Sequence, residues 1–252
     1  MKKRGQAAIF VVVAIVIVSV FLLIIVYPRV QVFISDVNPG QFIRSCLEPE
    51  IERVLPKITS QGGSYQPEHY VTHLGKKIQY LCYTAENYKP CIVQQPLLVR
   101  HVEREIKEQI QPRARQCVQQ LKEEYERRGY RVSIALGDIN VSIVQGSIET
   151  EYTGLFEVSK ENTQTFRTFG VSKTSELYDL LMLSTSIIEF ESTLGGSETL
   201  LYVQFYPDLK IEKLKKEGDT IYTLTNVVTE DKFTFATRSL AWPSGYGFIQ
   251  ST

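Results

Sequence analysis

The longest hydrophobic stretch runs from Ala7 to Tyr27, AAIFVVVAIVIVSVFLLIIVY, with Ser19 as its one polar member. As a helix rising about 1.5 Å per residue it spans roughly 31 Å, enough for a hydrocarbon core of about 30 Å. Its valine and isoleucine content would favour a strand in water. Length and lack of charge overrule that, because lipid offers no partner for free backbone N–H and C=O groups. The pattern therefore predicts one transmembrane helix, contacting the lipid bilayer through Ala7 to Tyr27.

Helical spacing returns at Phe42 to Ile58, where Phe42, Ile43, Cys46, Leu47, Ile51, Val54, Leu55 and Ile58 recur along one face. Pro49 and Pro56 are expected to kink or shorten this helix, and Gln61-Gly62-Gly63 to end it. Lys77–Thr84 and Cys91–Gln94 read as two short strands. Pro96–Arg128 reads as helix, with Glu103/Lys107 and Glu123/Arg127 four apart, divided or kinked at Pro112.

From Tyr130 the period becomes two. Arg131–Ala135, Asn140–Val144, Ser147–Ser159 and Asn162–Ser172 read as antiparallel strands, with turns at Gly137-Asp138, Gln145-Gly146 and Lys160-Glu161. A helix capped by Thr174 or Ser175 comes next over Glu176–Leu194 and stops at Gly195-Gly196. Asp208–Lys215, Thr220–Val228 and Lys232–Leu240 complete the strands, with Glu217-Gly218-Asp219 as a hairpin turn. Trp242–Thr252 reads as an irregular closing segment. The expected fold is α+β in three parts: leader, transmembrane helix and neck (1–37), a helical cysteine-containing region (38–129), and an antiparallel sheet region with its inserted helix (130–252).

Charge orients this arrangement. Lys2, Lys3 and Arg4 precede the apolar run and only Arg29 follows closely, so the positive-inside rule places the N-terminus in the cytoplasm and the rest outside. The run is longer than a secretory h-region and no A-x-A-like site follows it, which favours a retained anchor over a cleaved signal. Setting those three residues aside from 28 basic and 28 acidic ones leaves 25 against 28, a balance of −3. That gives no basic footprint for nucleic acid.

Four cysteines, Cys46, Cys82, Cys91 and Cys117, precede the strand-rich half. An even number outside the cytoplasm implies two disulfides, with three possible connectivities. Cys82 and Cys91 flank a short polar segment suited to a hairpin, which favours their pairing and leaves Cys46 to Cys117. A zinc site is disfavoured, since no C-x₂-C knuckle is present.

Candidate chemistry is sparse. No phosphate loop, G-x-S-x-G elbow or H-E-x-x-H occurs. His69 and His73 are four apart but lie in a loop or very short helix with no third ligand, so no metal or cofactor is expected. His101 is expected to form a surface pair with Glu103. Glu149 and Glu151 share one face of a strand; paired carboxylates can serve glycosidic chemistry only with a fitting separation and pocket, and solvated strand positions are favoured. Gly195-Gly196-Ser197 reads as a helix stop rather than an anion cradle. Tyr65, Tyr70, Tyr80, Tyr83 and Tyr88 would suit a binding face, or an ordinary aromatic core and rim. Asn140-Val141-Ser142 is a glycosylation sequon.

The leader carries a resemblance. Lys3-Arg4-Gly5-Gln6 before a long apolar helix resembles the class III signal of type IV pilins and archaellins, which implies cleavage after Gly5 and exposure of Gln6. The glutamate many such subunits carry at the fifth mature position is replaced by Phe10, which weakens the implication of filament assembly. Gly5-Gln6, Ser45-Cys46-Leu47, Gln61-Gly62-Gly63-x-Tyr65, Tyr80–Tyr83, the helix ending near Cys117 and Lys232-Phe-x-Phe-Ala236 together resemble single-pass surface proteins of DPANN archaea. That resemblance implies a membrane-anchored, extracytoplasmic archaeal protein and supports pairing Cys46 with Cys117; it implies no reaction. These features together favour a surface protein of structural, adhesive or partner-binding role, alone or as a homo-oligomer, rather than an enzyme. The alternatives are a type IV pilin-like subunit and, behind it, an extracytoplasmic hydrolase.

Overall fold

The structure is a computed structural model that describes residues 13–22 and 37–241. The chain divides into two compact units, Met1–Asn38 and Pro39–Thr252. In the first, residues 13–22 form helix α1, with their side chains exposed. Among the described residues no helix is long and apolar enough to cross a membrane. Both ends of the expected span Ala7–Tyr27, and the Gly5-Gln6 junction, lie outside them.

The second unit is α+β, built on two antiparallel-rich sheets and two disulfides. Helix α2 (Pro39–Thr59) buries Ile43, Leu47, Ile51, Val54, Leu55 and Ile58, the stripe its sequence periodicity marks. It runs unbroken through Pro49 and Pro56, because the buried stripe continues past each ring. Next come the hairpin of β1 (Tyr70–His73) and β2 (Lys76–Tyr83), and the two-residue strand β3 (Ile92–Val93).

Helix α3 (Leu98–Arg127) is a single helix of 30 residues, so the expected division at Pro112 does not occur. Val102, Ile106, Ile110, Ala114, Cys117, Val118 and Leu121 are buried along one face, while Pro112 is exposed on the other. The carbonyl of Glu108, which Pro112 cannot serve, therefore lies on the exposed side, where water can satisfy it. α3 packs along α2, and the Cys46–Cys117 disulfide joins them with a Cα–Cα distance of 5.9 Å. The second disulfide, Cys82–Cys91 (Cα–Cα 5.3 Å), ties β2 to the segment entering β3.

β4 (Arg131–Val144), β5 (Ser147–Ser159) and β6 (Thr163–Thr174) form a three-stranded antiparallel meander. Gly137-Asp138, expected as a turn between two strands, is instead an irregularity inside the single strand β4, where the register shifts between Ala135 and Asp138. The reason is close approach. A Cβ on Gly137 would lie 1.4 Å from the Thr153 carbonyl oxygen, and the Gly137 N–H donates to the Tyr152 hydroxyl at 2.8 Å. Only glycine lets the strands bulge together there. Ile139, Val141, Ile143, Tyr152, Phe156, Phe169 and Val171 are buried, and α2 and α3 pack against this sheet.

Helix α4 (Leu177–Leu194) and the short α5 (Leu200–Phe205) precede β7 (Leu209–Lys216), β8 (Asp219–Asn226) and β9 (Lys232–Arg238). The start of α4 is served by two groups: Ser175 Oγ accepts from the Leu177 N–H at 3.2 Å, and Asp231 accepts from the Glu176 N–H at 2.7 Å. The larger sheet runs β1-β2-β9-β8-β7, with β3 on β2. β2 and β9 pair in parallel, so this sheet takes strands from both sides of residue 129. Tyr222, Leu224, Phe233 and Phe235 are fully buried from its middle strands, on which α4 packs. On the other face Ile78, Tyr80, Ile221 and Ala236 form a smaller cluster.

Candidate functional site

The residues singled out in the sequence are scattered. His73 is on strand β1, not on a helix, and His69 packs its ring edge-to-face with Tyr83 and tilted against Tyr80, at 4.1 and 5.0 Å between centroids. Among the described residues no group of three or more His, Cys, Asp or Glu could hold a metal. Glu149 and Glu151 point from β5 to solvent opposite Ser142 and Asn140 of β4, so the sequon asparagine lies directly across from Glu151. They edge a shallow polar depression of about 310 Å³ with Arg44 beside it. The tyrosines divide too: Tyr80 and Tyr83 join His69, Tyr65 lies under Lys57 Nζ at 3.4 Å, and Tyr70 under Lys77 Nζ at 4.5 Å.

His101 is the clearest departure from expectation. It is 6% exposed, inside the fold rather than on the surface with Glu103, whose carboxylate instead accepts from the Ile143 N–H at 2.9 Å. Arg104 donates to His101 Nδ1 at 3.2 Å, and a guanidinium has no other role to play. The proton of the neutral ring is therefore on Nε2, and it is donated to Ser64 Oγ at 2.7 Å. A serine activated for nucleophilic attack needs the opposite direction, with the ring accepting from the hydroxyl. The pair is a structural link between the Gly62-Gly63 turn and α3.

Burial first, and the Arg104 charge second, hold the His101 pKa below its ordinary value. The folded state then resists a proton that the unfolded chain accepts. Stability is full above about pH 6.5 and falls as pH drops below it, by up to about 1.4 kcal/mol per unit until the folded pKa is reached. Urea midpoints measured from pH 7 to pH 5 should decline in the parent and decline less in His101→Gln. Equal slopes in both would assign the acid sensitivity elsewhere.

An apolar concavity among the described residues lies between α4 and α5. Ser186, Phe190 and Leu194 recur every four residues along the outer face of α4, giving one wall. Gly195, at φ 74°, stops the helix in the left-handed region and turns the chain back, so that Leu201, Tyr202 and Phe205 of α5 give the other. The cavity between them holds about 700 Å³. Its polar groups are mostly spent on each other: Ser186 and Tyr202 share a hydrogen bond at 2.8 Å. Among the described residues of the lining, Glu198 is the one that carries a charge. Leu194, Leu201 and Phe205 are 68%, 55% and 79% exposed, an apolar surface of the kind that marks a binding site.

Behind this groove α4 turns a buried carboxylate inward. Glu191, 2% exposed, accepts a short hydrogen bond from the Tyr222 hydroxyl of β8. Burial, then the Glu191 charge, push Tyr222 ionisation well above its ordinary range. Lys213 Nζ donates to the Ser197 carbonyl at 2.7 Å and lies 5.3 Å from the Tyr222 ring centre; burial lowers its pKa. Sequence periodicity does not reveal α5, because LLYVQF is apolar almost throughout and shows neither helical nor strand alternation. The signal that could have found it is a short apolar run after a Gly-Gly stop. No family model, no curated protein and no solved structure matches the chain.

Proposed function

We propose that the chain is a single-pass membrane protein whose disulfide-stapled ectodomain acts outside the cytoplasm by binding or structure rather than catalysis. The observation that carries this reading is the cysteine chemistry. All four cysteines are paired and none is free, with Cys117 and Cys82 fully buried in the fold. Such pairs persist in oxidising compartments and are rare in the cytosol. The Ala7–Tyr27 run supplies an anchor, and the basic residues before it supply the orientation. The likeness to DPANN surface proteins agrees with both. The Ser64–His101 pair, wired against nucleophilic use, and the open, solvated setting of Glu149 and Glu151 favour binding over hydrolysis.

Two experiments test this reading. Non-reducing peptide mapping of protein from the membrane fraction should yield two cross-linked peptides, 46 with 117 and 82 with 91, and protease added to intact cells should remove the ectodomain. Four free thiols, or an ectodomain protected until lysis, would overturn it. The Gly5-Gln6 junction favours a second reading, a pilin-like subunit. Its mark would be an N-terminus beginning at Gln6 in sheared filaments, whereas an intact leader in the membrane excludes it.

A further inference from the structure

Alternation along β4 buries Ile139, Val141 and Ile143 and turns Asn140 and Ser142 to the opposite face, where Asn140 is exposed. Asn140-Val141-Ser142 is the one Asn-x-Ser/Thr sequence among the chain's five asparagines. The Asn140 side chain makes no hydrogen bond among the described residues, so its amide Nδ2 is free to react. β4 has a strand partner on one side only, and its ladder is already interrupted between Ala135 and Asp138, just before the sequon. A group added to Asn140 therefore projects from the fold without displacing any contact that holds it.

The surroundings of Asn140 suit a sugar. Across the sheet Asn140 faces Glu151 of β5, and Glu151 faces Gly170 of β6. The neighbouring row on the same face is Ser142, Glu149 and Ser172. Directly opposed residues hold their Cβ atoms about 5 Å apart, so a group attached to Asn140 starts beside Glu151. Gly170 leaves the far end of that row open, since a Cβ there would meet nothing within 4 Å. The two rows line the polar depression of about 310 Å³ that Arg44 borders. Its carboxylates accept hydrogen bonds, its guanidinium donates them, and its serine hydroxyls do both, which together match the hydroxyls of a sugar.

We propose that Asn140 carries an N-linked glycan whose first sugars lie in this depression over Glu149 and Glu151. The donor is an oligosaccharide linked through its anomeric carbon to a polyprenyl diphosphate. Asn140 Nδ2 displaces the diphosphate: the C–N bond forms as the C–O bond breaks, the amide loses one proton, and polyprenyl diphosphate leaves. No electron is gained or lost. This inference rests on the extracytoplasmic reading above, because the sequon must stand on the side of the membrane where the transferase works. It also gives the polar outer face of the meander an occupant, a bulky hydrophilic cover in place of a protein partner.

The full chain is synthesised with endoplasmic-reticulum microsomes, which supply the transferase and a diphosphate-linked oligosaccharide. The parent should gain the mass of one glycan, removable by endoglycosidase, and both Asn140→Gln and Ser142→Ala should gain none. Gln164→Thr adds a control acceptor at Asn162, in the exposed turn between β5 and β6. A glycan at Asn162 in that variant with none at Asn140 would overturn the proposal and leave the membrane topology standing. A glycan at neither position would overturn both. The placement is tested on the solubilised full chain by coupling an amine to its carboxylates with carbodiimide. Glu149 and Glu151 should label several-fold more slowly in the glycosylated parent than in Asn140→Gln, while the exposed Glu198 labels equally in both. Equal labelling of all three would overturn the seat in the depression.

Discussion

Replacing Cys46 and Cys117 together by alanine should lower the unfolding free energy by about 4 kcal/mol, against about 2.5 kcal/mol for the Cys82/Cys91 pair. The difference comes from loop closure. The first bridge spans 71 residues and the second 9, and the denatured chain regains entropy in proportion to the logarithm of that span. A domain of this size has roughly 5–15 kcal/mol to lose, so the long bridge is a large share of it. Alanine rather than serine keeps a hydroxyl out of the sites of Cys117 and Cys82, both 0% exposed. The measurement is urea unfolding with linear extrapolation, in which the long-bridge variant should also show the larger m-value because its unfolded state expands more. Equal losses from the two pairs would refute the entropic account and assign the effect to packing around the sulfurs.

Position also matters for the long bridge. Cys46 and Cys117 join α2 to α3, the two helices that pack on the three-stranded sheet and, through α2, on β9. Loosening that pair loosens the connection between the two sheets. The short bridge acts only locally, at the end of β2.

How much of this was legible beforehand depends on whether the deciding contact is local. The α2 stripe of Ile43, Leu47, Ile51, Val54 and Ile58 is a period written in the chain, and the structure buries all five residues. Proline is also local, yet its effect at Pro112 depends on which face meets water. The sequence shows the ring but not the outward side on which its orphaned carbonyl is harmless. Gly137 looks like a turn residue because glycine usually is one; the Thr153 carbonyl that forbids a side chain there is reached only through strand pairing. His101 sits among charged neighbours on a charged helix and so reads as exposed. Its burial comes from the return of Ser64 and Gly63 over α3, 37 residues away in sequence for the Ser64 contact. The groove is the extreme case: one wall is a helix whose outward stripe is unremarkable, and the other is a short helix with no periodic signature.

Tyr222→Phe should destabilise the fold by about 3 kcal/mol, more than its lost oxygen would suggest. Removing the hydroxyl leaves Glu191 without its donor at a position 2% exposed, and an unpartnered buried carboxylate costs more than a typical lost hydrogen bond. Glu191→Gln keeps an acceptor for the tyrosine and should cost less. The decisive variant is Tyr222→Phe with Glu191→Leu, which removes both polar groups at once and should be more stable than Tyr222→Phe alone. A double-mutant cycle by urea unfolding measures that coupling, which should be at least about 1 kcal/mol for groups in contact. Additive losses would mean that the two side chains are satisfied independently. The same bond fixes the end of α4, since the Glu191 carbonyl also receives Ser239 Oγ and the next turn leads to Leu194 and Gly195. Tyr222→Phe should therefore loosen the groove as well, making hydrogen exchange faster in residues 190–195 while the Cys46–Cys117 helices keep their protection. A uniform increase across the fold would instead show global destabilisation without any special hold on α4.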